Sequence, residues 1–194
     1  MLIPYFKDYK RQVFPVICMV LYVLFTGTDL YTTYLIDPFL ERETNPVTQF
    51  FQWRWTGHLL YISCMVLMTI FFAVISNKHI FKYFKNKKQN IQTNKFLFII
   101  CCLLLIYCYH NLIATFECSI NNYLGYRYLQ INSESFIQKI AINYVEFYWN
   151  FGLTAYTYFI TILDTFIATA IAIFQINRVR KYVRSSAITL KDST

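Results

Sequence analysis

The sequence predicts an all-α polytopic membrane protein, a bundle of four transmembrane helices with both termini on the cytoplasmic side. Three observations carry this expectation. Hydrophobic residues make up 57% of the 194 residues and charged residues only 14%, against about 45–50% and about 25% in soluble domains. The apolar excess is gathered into four continuous runs, each near the roughly 20 residues a helix needs to cross a bilayer. The basic residues behind the net charge of +8 fall between and beyond those runs. Together these observations exclude an ordinary soluble enzyme and a disordered chain. They also make direct nucleic-acid binding an unneeded explanation of the charge.

The first run covers residues 13–36, VFPVICMVLYVLFTGTDLYTTYLI. It is longer than a signal-peptide core and lacks a small-residue cleavage site, so it reads as a retained anchor. The second covers 57–76, the third 96–116 around FLFIICCLLLIYCY, and the fourth 150–176. Only helices and closed barrels satisfy backbone polar groups in hydrocarbon. Because the runs are continuous and not alternating, helices are predicted. The segment 77–95 becomes a basic cytoplasmic loop and 117–149 a long outer loop. The whole of 1–194 reads as one membrane domain.

Orientation follows from the positive-inside rule. Lys7, Lys10 and Arg11 precede the first run. Lys78, Lys82, Lys85, Lys87, Lys88 and Lys95 follow the second, and Arg178, Arg180, Lys181, Arg184 and Lys191 follow the fourth. Fourteen of the 18 basic residues thus fall on one side. Arg42, Arg54, Arg127 and Lys139 remain on the other, with most of the acids. Trp53, Trp55 and Trp149 mark the outer ends of spans two and four, where an aromatic belt belongs. An integral protein of a bacterial inner membrane is the expected location.

Within the outer loop, ESFIQKIAINYVEFYW sets Phe136, Ile140, Tyr144 and Phe147 near one helical face and Lys139, Asn143 and Glu146 on another. This segment either extends span four outward, the favoured reading, or lies in the interface. The basic loop, interrupted by aromatics, suits anionic lipid headgroups and an acidic cytosolic partner. Lys78, Lys82, Lys85, Lys87 and Lys88, with Arg178, Arg180 and Lys181, are the candidate contacts.

The six cysteines contain no C-x-x-C pair, which argues against disulfide exchange and zinc-knob chemistry. His58 and His110 lie on different spans at different expected depths, so haem ligation is disfavoured. Neither a cofactor nor a metal is expected. H-E-x-x-H, G-x-S-x-G and phosphate-loop patterns are all missing, and no catalytic residue is assigned.

Ionisable residues inside a span are costly and therefore informative. Asp29 stands on a stripe with Tyr22, Thr26 and Thr33. Asp164 stands on one with Thr154, Thr157, Thr161, Ala168 and Ala172. Small and hydroxyl-bearing faces let helices approach and hydrogen-bond, so spans one and four are expected to face the protein interior or a homo-oligomer interface. Asp29, Thr33, His110, Thr161 and Asp164 form the candidate intramembrane polar site. Three roles remain open for it: a structural hydrogen-bonding centre, a cation or proton path, and an acid–base or metal-assisted site that also uses Glu43. After span one, Asn45-Pro46 reads as a helix start, with Glu43 two residues before it.

Asp29-x-x-Thr32-Thr33 followed by Glu43-x-Asn45-Pro46 resembles a group of small uncharacterised prokaryotic membrane proteins. Those proteins have an intramembrane Asp-x-x-x-Thr and a Glu-x-Asn-Pro turn after the first helix. The resemblance covers roughly residues 26–75 and implies an architecture and a polar site, not a reaction. In size, span number and topology the chain is also similar to membrane components of bacterial anti-phage systems such as Kiwa. Those pair a small membrane sensor or effector with a cytosolic protein. The reading that results is a non-enzymatic membrane sensor or scaffold, with a cation or proton-coupled transporter using Asp29 and Asp164 as the alternative and an intramembrane enzyme third.

Overall fold

The computed structural model describes residues 9–40, 54–130 and 135–185. Helix accounts for 92% of these residues, and there is no strand among them. The helices are α1 (Tyr9–Ile36), α2 (Arg54–Lys88), α3 (Lys95–Leu129), α4 (Phe136–Phe151) and α5 (Leu153–Ser185). All except α4 are long and apolar enough to cross a membrane. They leave large apolar side chains uncovered on every spanning helix: Leu24 on α1, Leu67 on α2, Leu103 on α3 and Phe166 on α5 are all more than half exposed. Such a surface suits lipid and would be a liability in water.

The helices outrun the apolar runs that seed them. α2 and α3 have 35 residues each, about 52 Å at about 1.5 Å per residue, whereas the hydrocarbon layer is about 30 Å thick. α2 continues through most of the basic segment expected to be a loop, because residues 77–88 contain neither Gly nor Pro. It stops at Asn90, whose φ of 56° is left-handed. There Ile91 N–H donates to Asn86 O at 3.0 Å and Asn90 N–H to Lys87 O at 3.4 Å, a Schellman-type end. Asn94 then caps α3 by accepting from Leu97 N–H at 3.0 Å, and Tyr83 stacks on Phe98 with centroids 4.1 Å apart.

The segment expected as a long outer loop is largely helical too. α3 runs on to Leu129. Arg127 then donates to Gln130 Oε1 at 3.1 Å and to Ser135 Oγ at 3.3 Å, and Ser135 caps α4 by accepting from Gln138 N–H at 3.2 Å. α4 is not a continuation of span four. Gly152, at φ 83°, separates it from α5. Nor does the aromatic stripe form its packed face. Gln138 and Ala141 are buried, while Phe136, Ile140 and Phe147 are exposed on the opposite side of the helix. Small Ala141 permits close packing that the large side chains would block.

The chain packs as two compact units, each drawing on all four long helices. In the first (residues 1–20, 68–111 and 165–194), α2 buries Thr69, Ala73, Ser76 and Ile80, and α5 buries Ala168, Ala172, Gln175, Val179 and Val183. Both sets recur every three or four residues, one stripe of a helix each. α3 supplies Cys101, Leu105, Cys108 and Tyr109. Polar bonds stitch these small-residue faces together. Asn111 Nδ2 donates to Thr69 Oγ1 at 3.0 Å, Cys108 Sγ to Thr69 O at 3.3 Å and Gln175 Nε2 to Asn77 Oδ1 at 3.3 Å. In the second unit (residues 21–67 and 112–164), Tyr22, Thr26 and Thr32 of α1, His58 of α2, Leu112 and Ser119 of α3, Gln138 and Ala141 of α4, and Tyr156 and Asp164 of α5 are buried.

Candidate functional site

The second unit concentrates the acids. Asp29 of α1 is half-buried, and its Oδ1 accepts from Asn122 Nδ2 of α3 at 2.9 Å. The same amide nitrogen donates to Thr33 Oγ1 at 3.0 Å. One asparagine thus binds two members of the expected site, Asp29 and Thr33, one turn apart on α1. Nearby, Ser119 Oγ donates to Phe25 O at 2.9 Å and is also placed to donate to Thr115 O on its own helix. An amide is thus one donor to Asp29.

Asn121 precedes Asn122 by about 100° of helical rotation and serves a different set of partners. Its Nδ2 donates to Glu117 Oε1 at 3.0 Å, one turn back on α3. Tyr156 OH of α5 reaches the same Glu117 oxygen at 3.0 Å. Tyr156 OH also lies 2.7 Å from Tyr144 OH of α4, and Tyr144 OH is hydrogen-bonded to Asn121 Oδ1. The result is a closed ring, Glu117–Asn121–Tyr144–Tyr156, that ties three helices together through four side chains.

Asp164 is buried on α5. Asp29, Glu117 and Asp164 all lie within electrostatic reach of the Cys118 thiol. Three carboxyl groups from three helices therefore share one neighbourhood of this unit. Among the described residues, no three His, Cys, Asp or Glu side chains are grouped to hold a metal.

Two expected members of the polar site lie elsewhere. Thr161 is exposed, and its hydroxyl donates back to Thr157 O on its own helix at 2.8 Å. Thr154 and Thr157 are exposed too, and the inward side of this half of α5 is formed by Tyr156 and Asp164. His110 belongs to the first unit, where its Nδ1 lies 3.5 Å from Thr165 Oγ1. Glu43, Asn45 and Pro46 lie outside the described residues, as do Trp53 and the side chains of Lys7, Lys10, Arg11 and Lys191. Trp55 donates from Nε1 to Pro38 O at 2.7 Å and meets Tyr34 and His58 edge-on or tilted. Trp149 is 77% exposed.

None of Glu117, Asn121, Asn122, Tyr144 and Tyr156 was among the expected site residues: the first three lie just beyond the apolar run that ends at 116, Tyr144 was placed only on a face of the outer segment, and Tyr156 reads as one more aromatic of span four. A signal was present nonetheless. Glu117 and Asn121 stand four apart, the spacing of side chains that meet on a helix, with no helix breaker between them.

The first unit carries the basic residues. Lys78, Lys82, Lys85, Lys87 and Lys88 on α2 and Arg178, Arg180, Lys181 and Arg184 on α5 are all exposed. Its described residues include no Asp or Glu. Two of these cations already have work inside the protein. Lys88 Nζ donates to Val183 O at 2.8 Å, and Arg184 O is 3.5 Å away. That places a positive charge on the carbonyls at the end of α5, where the helix dipole favours it. Arg178 lies 5.5 Å from the Phe14 ring centroid and 5.8 Å from that of Phe174, in cation–π range. Lys78, Lys82 and Lys85 instead form one stripe opposite the buried Ala73–Ser76–Ile80 face.

No protein-family profile, curated protein or solved structure matches this chain.

Proposed function

We propose that the protein is a non-enzymatic integral membrane sensor or scaffold, oriented with both termini in the cytoplasm. Its basic end would engage anionic headgroups and an acidic cytosolic protein. The observation that carries this reading is the basic surface of the first unit, where the described residues include no acid and the Lys78–Lys82–Lys85 stripe projects from a continuous helix. A cationic surface next to a bilayer gains roughly 1 kcal/mol per Lys or Arg from an anionic leaflet. Self-association belongs to the same proposal. The exposed hydroxyl-bearing face of α5, with Thr154, Thr157 and Thr161, suits helix–helix contact in lipid. A place in bacterial anti-phage defence rests on architectural similarity alone.

A variant with Lys78, Lys82 and Lys85 all changed to Gln tests the docking surface. It should lose cytosolic partner recruitment and enrichment of anionic lipid, while Asp29→Asn retains both. Lys88 is left intact so that the α2–α5 contact survives. Recruitment unchanged by the triple substitution would remove the basic stripe from the mechanism.

The three carboxyl groups near Cys118 favour a second reading, a cation or proton path through the second unit that uses Asp29 and Asp164. Proteoliposomes should then show a flux that is lost in Asp29→Asn or Asp164→Asn. The native protein would show no flux if this reading is wrong.

A further inference from the structure

We infer that α4 lies flat in the headgroup–acyl boundary of the bilayer, on the side of the membrane where α5 begins, with uncharged or zwitterionic phospholipid as its partner. The inference rests on the membrane-spanning reading of α5 and on no property of the basic end.

The surface of α4 is divided lengthwise. At about 100° per residue, Phe136, Ile140, Phe147 and Phe151 fall within about 60° of one another, and all four are exposed. Lys139, Asn143, Glu146 and Asn150 fill the adjoining sector, equally narrow and also exposed. Along the far edge of that polar stripe Ile142 and Trp149 are exposed, and a Trp suits headgroup level. The buried Gln138 and Ala141 point the other way, into the protein. A polar stripe beside an apolar one, each running the length of the helix, fits an aqueous–apolar boundary parallel to the helix axis. A helix projecting into water from the end of α5 would present polar residues all round its exposed side.

The inner side of α4 fixes its position. Tyr144 OH lies 2.7 Å from Tyr156 OH, and Tyr156, in the first turn of α5, reaches Glu117 Oε1 of α3 at 3.0 Å. With Gly152 turning the chain at φ 83°, α4 is held beside the end of a span. Its apolar flank also runs on into the exposed surface of that span. Phe147 stacks on Phe151 with centroids 5.6 Å apart, and Phe151 meets Phe159 of α5 edge-on at 6.2 Å. Phe159 is exposed together with Tyr158 and Ile162. Lipid that covers Phe159 therefore meets an unbroken aromatic surface leading onto α4.

Lys139 and Glu146 are the only charged residues of α4, and their charges cancel. The contact is apolar in origin, so salt should not weaken it as it weakens contacts made by exposed charges.

Photolabelling of the native full chain in phosphatidylcholine nanodiscs tests the inference. The probe is a phosphatidylcholine with a carbene precursor near the glycerol end of one acyl chain. Peptide mapping should find label on the Phe136–Ile140–Phe147–Phe151 flank and on Phe159, and leave Lys139, Asn143 and Glu146 clear. Moving the precursor to the far end of the acyl chain should cut the α4 label several-fold. Ile162, about 15 Å along α5 from Gly152 at about 1.5 Å per residue, should stay labelled. High salt should change neither pattern. Label on α5 with none on α4 would overturn the inference and put α4 in water or against a second copy of the chain. Equal label on both stripes of α4 would also sink it, because the helix would then be immersed in hydrocarbon. Absence of label from α5 as well would remove the spanning reading and the inference with it.

Discussion

Asn122 donates to Asp29 across 2.9 Å, and this contact joins α3 to α1. Withdrawing a carboxyl group from water is costly unless donors replace the water, and the amide supplies one such donor to the half-buried Asp29.

The two partners should therefore respond unequally to substitution. Asn122→Ala removes a shared donor from Asp29 and Thr33, and each lost hydrogen bond is worth about 0.5–1.5 kcal/mol net. Asp29→Asn keeps an acceptor oxygen facing Asn122. Interhelical hydrogen bonds in membranes average only about 0.6 kcal/mol, so its cost should stay below that of Asn122→Ala. Reversible unfolding in mixed micelles measures both.

Gly152 and Gly27 should behave in opposite ways. A Cβ at either position meets no atom within 4 Å, so only backbone conformation separates them. Gly152 sits at φ 83°, where an L side chain costs about 1–2 kcal/mol. Gly152→Ala should destabilise by about that amount and speed amide exchange at the α4–α5 junction. Gly27 lies inside α1, where Ala is preferred to Gly by roughly 0.5–1 kcal/mol, so Gly27→Ala should raise the melting temperature.

Ala168 and Ala172 are completely buried. Enlarging either to Leu forces extra methylene groups into a packed helix contact, which costs typically about 1–3 kcal/mol. Ile162, at 71% exposure on the same helix, should tolerate Ile162→Leu with a change within about 0.5 kcal/mol. Equal losses at all three positions in the micelle assay would contradict the packing described for α5.

The sequence shows the number of spanning helices and their approximate centres because length and hydrophobicity are written residue by residue. It shows the ends poorly. Apolar content reports where lipid is, whereas a helix stops where its backbone is capped, as at Asn90 and Gly152. That difference is why Lys78–Lys88 and Glu117–Leu129, expected as loops, are helical. The Asp29–Thr33 pairing was legible, since both stand on one stripe of α1. Its partner Asn122 was not, because its residue type gives no hint of which distant helix it will meet. Thr161 was misplaced for a related reason. A periodic stripe identifies residues that share a face but not which way the face turns, and Thr161 can place its hydroxyl on Thr157 O within α5 while exposed.

The helical continuation of α2 changes what its lysines can do. Charges on a floppy loop act as a diffuse cloud, sensed only as a total. Lys78, Lys82 and Lys85 instead sit on a rigid rod, spread over about 10 Å at about 1.5 Å per residue. That spread is close to the roughly 8 Å screening length at physiological salt. Their fields overlap without merging, so a binding surface can register their spacing as well as their sum. Moving one lysine to the opposite side of the rod would keep the net charge and erase the pattern.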